Sequence, residues 1–278
     1  MQRTTIVTPT FGAMAVIDHG QGPVALFLHG VFVNGELWRH QVEALADLRR
    51  CIAIDLLAHG MSPCPSGELT ITVQAQMVLE VIEALGGGEV DLVGNDTGGA
   101  IAQLVVTQRP EVVRSLTLTN CDVHDNFPPE AFLGIQEVAQ QGFLAEGLAA
   151  IANDPEAIRA ALSTSLEDPA SIDDATLRSF FAPFTDPAHA ASLQGYIASM
   201  EPSELVAIEA NLGKVTVPTQ IVWGTDDVFF PEAWATWLEQ RIPGVSSSVR
   251  VEGGRLFFPL ERPQPLNEAL RRFWSARA

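Results

Sequence analysis

The segment Val90-Asp91-Leu92-Val93-Gly94-Asn95-Asp96-Thr97-Gly98-Gly99-Ala100-Ile101-Ala102 puts an acidic side chain where a strand would bend into a helix. Its apolar start reads as a buried strand, and its small-x-Asp-x-small centre as a tight turn. A side chain at the centre of such a turn stands above the sheet on strained backbone. The following helix points its positive end at that side chain and favours a carboxylate. Asp96 could then attack an electrophile or move a proton. The plain alternative is that it caps the helix.

The surrounding pattern is the one needed to present such a residue. Val24–Leu28 is a continuous apolar run that ends at His29-Gly30, and residues 51–55, 90–93 and 115–119 are further strands. Runs of this kind suit strands buried on both faces. Helical stretches lie between them at 35–48, 72–85 and 98–109, the last stopped by Pro110. Alternating strand and helix implies a parallel sheet with right-handed crossovers. From 126 to 213 the pattern changes to helices and loops, with helical periodicity around 131–149 and prolines at 155, 169, 183 and 187. Strands resume at 219–223 and 247–251, with helices at 231–241 and 263–274. The expected architecture is an α/β core from residues 1–125 and 214–278, interrupted by a helical cap over 126–213. In an open parallel sheet the site lies at the carboxyl ends of the strands, where such an insertion would cover it.

Bulk properties narrow the partners. A net charge of −18 with 16 Lys and Arg, one of them the single lysine Lys214, argues against nucleic acid. No apolar run approaches the roughly 20 residues that span a bilayer. The start, Met1-Gln2-Arg3-Thr4-Thr5, leads into an alternating segment without the apolar stretch of a signal peptide. The expectation is a cytoplasmic protein with a small-molecule substrate, no membrane partner and no nucleic acid, its oligomeric state left open. Cys51, Cys64 and Cys121 form no disulfide framework or zinc pattern, and no metal or cofactor is expected. The glycines around Asp96 match neither a dinucleotide nor a P-loop pattern.

Four motifs in order resemble the α/β-hydrolase fold family along essentially the whole chain. His29-Gly30-Val31 is similar to its oxyanion loop, and Asp55-Leu56-Leu57-Ala58-His59-Gly60-Met61-Ser62 to its aspartate-x-x-glycine-histidine-glycine-x-serine loop, with Ala58 for the usual glycine. Trp223-Gly224-Thr225-Asp226-Asp227 resembles the strand end that carries the acid, and Glu261-Arg262-Pro263 the start of the last helix. An aspartate at the elbow resembles the haloalkane dehalogenase and epoxide hydrolase branch. There a carboxylate forms an alkyl-enzyme ester that a histidine-activated water hydrolyses. The resemblance makes Asp96 the nucleophile and the Val31 and Thr97 backbone N–H groups, beside Gly30, the oxyanion hole. Trp38, after the oxyanion loop, would line the pocket.

The sequence departs from that branch at three places. Thr97 and Val31 stand where dehalogenases carry a tryptophan and an asparagine that hold the halide, which favours epoxide opening. Epoxide hydrolases use cap tyrosines to protonate the leaving alkoxide, and the only tyrosine is Tyr196, in the inserted region. The catalytic histidine is missing. Leu256 occupies its register, and no histidine follows His189. His124, in Asn120-Cys121-Asp122-Val123-His124-Asp125-Asn126 after the fourth strand, is the candidate replacement base, and a loop histidine the plain reading. Asp227 would orient a histidine or pair with Arg255. Three functions remain open: an Asp96-dependent hydrolase, a non-hydrolytic cyclase, isomerase or lyase on the same fold, and a ligand-binding protein without catalysis.

Overall fold

The computed structural model describes residues 3–65 and 67–276. Met1, Gln2, Ser66, Arg277 and Ala278 lie outside the described residues. Eight strands form one sheet: β1 (Arg3–Thr8), β2 (Gly12–His19), β3 (Val24–Leu28), β4 (Arg50–Ile54), β5 (Val90–Asp96), β6 (Val113–Cys121), β7 (Thr219–Gly224) and β8 (Val245–Val251). Their spatial order is β1-β2-β4-β3-β5-β6-β7-β8. β1 and β2 pair antiparallel, as do β2 and β4, and every later pairing is parallel. The strands read from continuous apolar runs are the central ones, where both faces are covered by helices. Every residue of β5 is buried. The fold class read from the sequence, a mostly parallel α/β sheet flanked by helices, is the one observed.

The first helix is shorter than its periodicity suggests. The Asn34 side chain accepts from the Glu36 N–H and starts a single tight turn, Gly35–Trp38, before α1 (Arg39–Leu45). α2 (Ile71–Ala84) is capped by the Thr70 hydroxyl, which accepts from Val73 N–H, and α3 (Thr97–Gln108) begins directly at the elbow. Between β6 and β7 the described residues form helices and no strand. These are α4 (Leu133–Gln140), α5 (Leu144–Ile151), α6 (Pro155–Ala161), α7 (Asp174–Phe181), α8 (Pro187–Ser199), α9 (Ser203–Ala207) and α10 (Glu209–Leu212). The helical periodicity around 131–149 falls on two helices, because Gly142 takes a φ of +84° after the end of α4. α11 (Glu232–Arg241), α12 (Phe258–Glu261) and α13 (Pro263–Ser275) complete the chain, with Pro263 at the first position of α13 as expected. Among the described residues, no helix is long and apolar enough to cross a membrane.

Candidate active site

Asp96 is the last residue of β5, and its φ of +56° and ψ of −133° lie in the strained region expected of an elbow. A following helix that starts at once needs close backbone approach. At Gly98 a Cβ would stand 2.3 Å from the Leu28 carbonyl oxygen and 2.4 Å from that of His29, so only glycine fits. The plain reading of Asp96 as a helix cap fails, because its side chain makes no capping bond to the first turn beyond the adjacent Thr97 N–H. Its Oδ2 instead accepts from the Val31 N–H at 3.0 Å. The Thr97 N–H, the other expected donor, lies beside the same carboxylate and favours its charged form. Gly30 lies against the carboxylate, where a Cβ would be 2.0 Å from Oδ2.

His29 and His59 hold this loop from below. The Leu56 N–H donates to His29 Nε2 at 2.9 Å, so His29 Nδ1 carries the proton and donates to the Gly30 carbonyl at 2.7 Å. Burial, with His59 beside it, keeps His29 well below the usual histidine range, and burial lowers His59 to about 4. Both are neutral structural residues. Asp55 accepts from the Gly35 and Met61 N–H groups, each at 2.9 Å, and from Arg3, which ties the following loop to the same frame.

A cavity of about 130 Å³ lies over the Asp96 carboxylate. Its walls come from both parts of the chain: Val31, Phe32, Thr97, Asp122, Phe229, Phe230, Leu256 and Phe257 from the sheet side, and Phe132, Ile135, Leu162 and Met200 from the helical insertion. Leu256 is buried against it, and no histidine is among the lining residues. The Leu256 carbonyl accepts from Asn95 Nδ2 at 3.1 Å, so Asn95 points away from the cavity and anchors the segment that lacks the histidine.

His124 does not reach the cavity. Its ring nitrogens face Glu209 at 3.0 Å and Asp125 at 3.1 Å, and its ring lies 5.2 Å from that of Trp237. A left-handed backbone at φ +53° turns it outward, which a residue list cannot reveal. Trp38 is also displaced from its expected role: it is fully buried, 5.4 Å from the Phe27 ring, and packs in the core rather than lining the cavity. Asp227 makes no direct ion pair with Arg255, whose charge acts on it from a distance while its guanidinium donates to the Ser163 and Leu166 carbonyls. Asp227 accepts from Asn120 Nδ2 at 2.8 Å and from the Phe229 and Phe230 N–H groups at 2.8 and 3.3 Å. It therefore shapes the loop that carries two cavity phenylalanines.

Tyr196 is buried on α8 but is not among the lining residues of this cavity. Its hydroxyl has no hydrogen-bond partner among the described residues. Burial and the Asp122 and Asp96 charges raise it well above the usual tyrosine range. A buried hydroxyl without a partner costs roughly 1–3 kcal/mol. Tyr196→Phe is therefore expected to leave turnover within about 3-fold and to keep or raise the melting temperature. A loss of turnover above about 10-fold in a folded Tyr196→Phe protein would restore the acid role to this residue.

The residue not singled out from the sequence is Asp122. It is 1% exposed, one position beyond Cys121, the register partner of Asp96 on the neighbouring strand. Burial pushes the Asp96 carboxyl up to about 7, against the Val31 and Thr97 N–H bonds and with the Asp227 charge adding to it. Burial and then the Asp96 charge raise Asp122 well above the usual carboxylate range, against a bond from the Thr97 side chain. Burial also raises Asp227, to about 6. Three acids thus meet at one end of the sheet, two of them on the cavity, and the lining contains no cation. Two neighbouring carboxyls in a dry site cannot both ionise cheaply, so the pair keeps a proton at neutral pH. The available signal was an acid at the carboxyl end of the strand next to the elbow.

The family model described as alpha/beta hydrolase fold matches residues 23–261. The chain is 30% identical over 258 residues to a protein of Azorhizobium caulinodans named "Putative carbamate hydrolase RutD", with 92% of each chain covered. Among solved structures, it superposes on an epoxide hydrolase, CorEH without ligand, with a TM-score of 0.83 at 21% identity, covering 100% of this chain and 99% of that one. It superposes equally on the haloalkane dehalogenase DatA of Agrobacterium tumefaciens C58, with a TM-score of 0.83 at 22% identity, covering 100% and 97%. At these identities the two structures speak to the fold alone.

Proposed function

The chain belongs to the alpha/beta hydrolase fold family as a hydrolase-like member, and from that premise we propose that its Asp96 attacks a small, largely apolar electrophile, an epoxide in preference to an alkyl halide. The observation that supports this is a strained carboxylate, held by one oxygen, on the floor of an apolar cavity. The Val31 N–H occupies Oδ2, which leaves Oδ1 to approach an sp³ carbon. Attack yields an ester on Asp96. The Val31 and Thr97 N–H groups then stand where charge develops when water adds to that ester. Residues 126–213 act as the cap that encloses the substrate and excludes bulk water.

The preference follows from the leaving group. A departing halide is stabilised by side-chain N–H donors, and the lining contains no tryptophan, asparagine or glutamine. An opening epoxide releases ring strain and needs a proton instead. Incubation with a panel of small epoxides is expected to give a protein mass increased by the whole epoxide, located on Asp96, together with diol product. Neither adduct nor diol across the panel would overturn the reading.

A second reading draws on one feature, the lack of an imidazole on the cavity. With Asp96 as a proton carrier, the same pocket would run an isomerisation or lyase reaction. Turnover in ¹⁸O-labelled water separates the two. Label in the product supports hydrolysis, and its absence from a turned-over product supports the second reading.

A further inference from the structure

We propose that Asp122 is the catalytic proton carrier that replaces the missing histidine, first giving its proton to the opening epoxide and then activating the water that frees Asp96; this rests on the proposed epoxide opening by Asp96. Four observations carry it. Asp122 lines the same cavity as Asp96. It follows Cys121, the register partner of Asp96, so the two acids project from adjacent strand ends. Its Oδ1 is buried and has no hydrogen-bond partner among the described residues. The register that would carry a histidine holds Leu256, and the replacement candidate His124 faces Glu209 and Asp125.

A buried carboxyl with an unused oxygen costs free energy unless that oxygen has a task or carries a proton. Here burial and the neighbouring Asp96 charge keep the proton on Asp122. Thr97 stands beside both acids, its side chain favouring the charged form of Asp122 and its N–H that of Asp96. The titratable groups that act on Asp122 are Asp96 on β5, Cys121 on β6, Asp227 after β7 and Tyr196 on α8, and no cation is among them. Two acids in unlike environments take unlike protonation states, the condition for an acid and a nucleophile side by side.

The steps balance. The Asp96 carboxylate forms a bond to a ring carbon, the ring C–O bond breaks, and the ring oxygen takes the Asp122 proton. The site then holds a hydroxyalkyl ester on Asp96 and an ionised Asp122. Asp122 takes a proton from water as the water oxygen adds to the ester carbonyl carbon, and the Val31 and Thr97 N–H groups hold the oxyanion. Collapse expels the alkoxide, which takes the proton of the carboxyl left behind. Diol departs, Asp96 is again a carboxylate and Asp122 again carries a proton.

The test compares two leaving groups. Alkylation of Asp96 is followed by mass spectrometry with an epoxide, whose oxygen needs a proton, and with a small alkyl bromide, whose bromide does not. In Asp122→Asn the epoxide reaction is expected to slow about 100-fold or more and the bromide reaction to change less than about 3-fold. The ester formed from the bromide is expected to persist, because its hydrolysis has lost the base. A merely structural role would slow both alkylations alike, and that result overturns the proposal, as does an unchanged epoxide rate. If Asp122→Asn does not fold, the wild-type pH profile decides. Epoxide alkylation must fall at high pH as Asp122 ionises while bromide alkylation does not, and identical profiles overturn it. Wild-type protein that reacts with neither compound refutes the Asp96 reading itself, a failure distinct from that of Asp122.

Discussion

Asp96→Asn is expected to abolish alkylation and lower turnover by at least about 10³-fold, since it removes the attacking oxygen, while making the protein more stable at alkaline pH. The stability effect follows from the direction of the shift. Burial raises the folded-state value to about 7, above the ordinary 3.8. The folded protein therefore binds the proton more tightly than the unfolded chain. That contribution is complete below about pH 4 and is lost as pH rises through about 7. Ionising this buried acid costs as much as about 4 kcal/mol by pH 8, a shift of about three units at about 1.4 kcal/mol each. The asparagine variant escapes the cost and still offers an oxygen to the Val31 N–H. Thermal melts at pH 5 and pH 8 should show the variant gaining on the wild type with rising pH, at about 2–4 °C per kcal/mol. A variant that melts lower than the wild type at pH 8 would mean that Asp96 is stabilised as a charge. The poised carboxylate would then be wrong. Gain of stability with loss of activity is the signature of a site held at a cost for its chemistry.

Gly30→Ala is the second change with a large expected effect. The added methyl would stand 2.0 Å from Asp96 Oδ2 and 2.3 Å from the Asp96 Cβ and Cγ. Asp96 cannot yield, because its backbone is already strained and Gly98 behind it is packed against the Leu28 and His29 carbonyls. Overpacking of this kind costs about 1–3 kcal/mol or more. The oxyanion loop must move outward, taking the Val31 N–H from the carboxylate, and loss of one such donor costs about 10²–10³ in rate. Gly134→Ala on α4 is the control, since nothing lies within 4 Å of its added carbon and alanine favours the helix. Steady-state kinetics and melting curves on both variants check this. Near-wild-type turnover in a folded Gly30→Ala protein would mean that the loop and the nucleophile do not form one rigid unit.

Much of the architecture was readable from the chain. The continuous apolar run Val24–Leu28 and the mostly apolar Val90–Val93 suit strands covered on both faces, and the alternation with helical stretches then leaves a parallel sheet. The glycines around Asp96 announced the elbow because no other residue permits so close a strand-to-helix turn. Val31 and Thr97 as backbone donors beside Asp96 came from the resemblance of His29-Gly30-Val31 and the elbow to the α/β-hydrolase family, not from local geometry. The break of residues 131–149 at Gly142 was less legible, since amphipathic periodicity continues on both sides of one left-handed residue.

The fold and the carboxylate at its elbow can be read from residue order alone, because strand burial, helix periodicity and a glycine-flanked bend are properties of neighbours along the chain. Which other side chains meet that carboxylate depends instead on packing between segments far apart in the chain. His124 and Asp122 stand two residues apart, yet the left-handed turn at His124 sends one to Glu209 and leaves the other on the cavity. Trp38 followed the oxyanion loop but was drawn into the core against Phe27. The direction of a side chain at a strand end depends on its backbone dihedrals and on packing against distant segments, and neither is written in residue type or spacing.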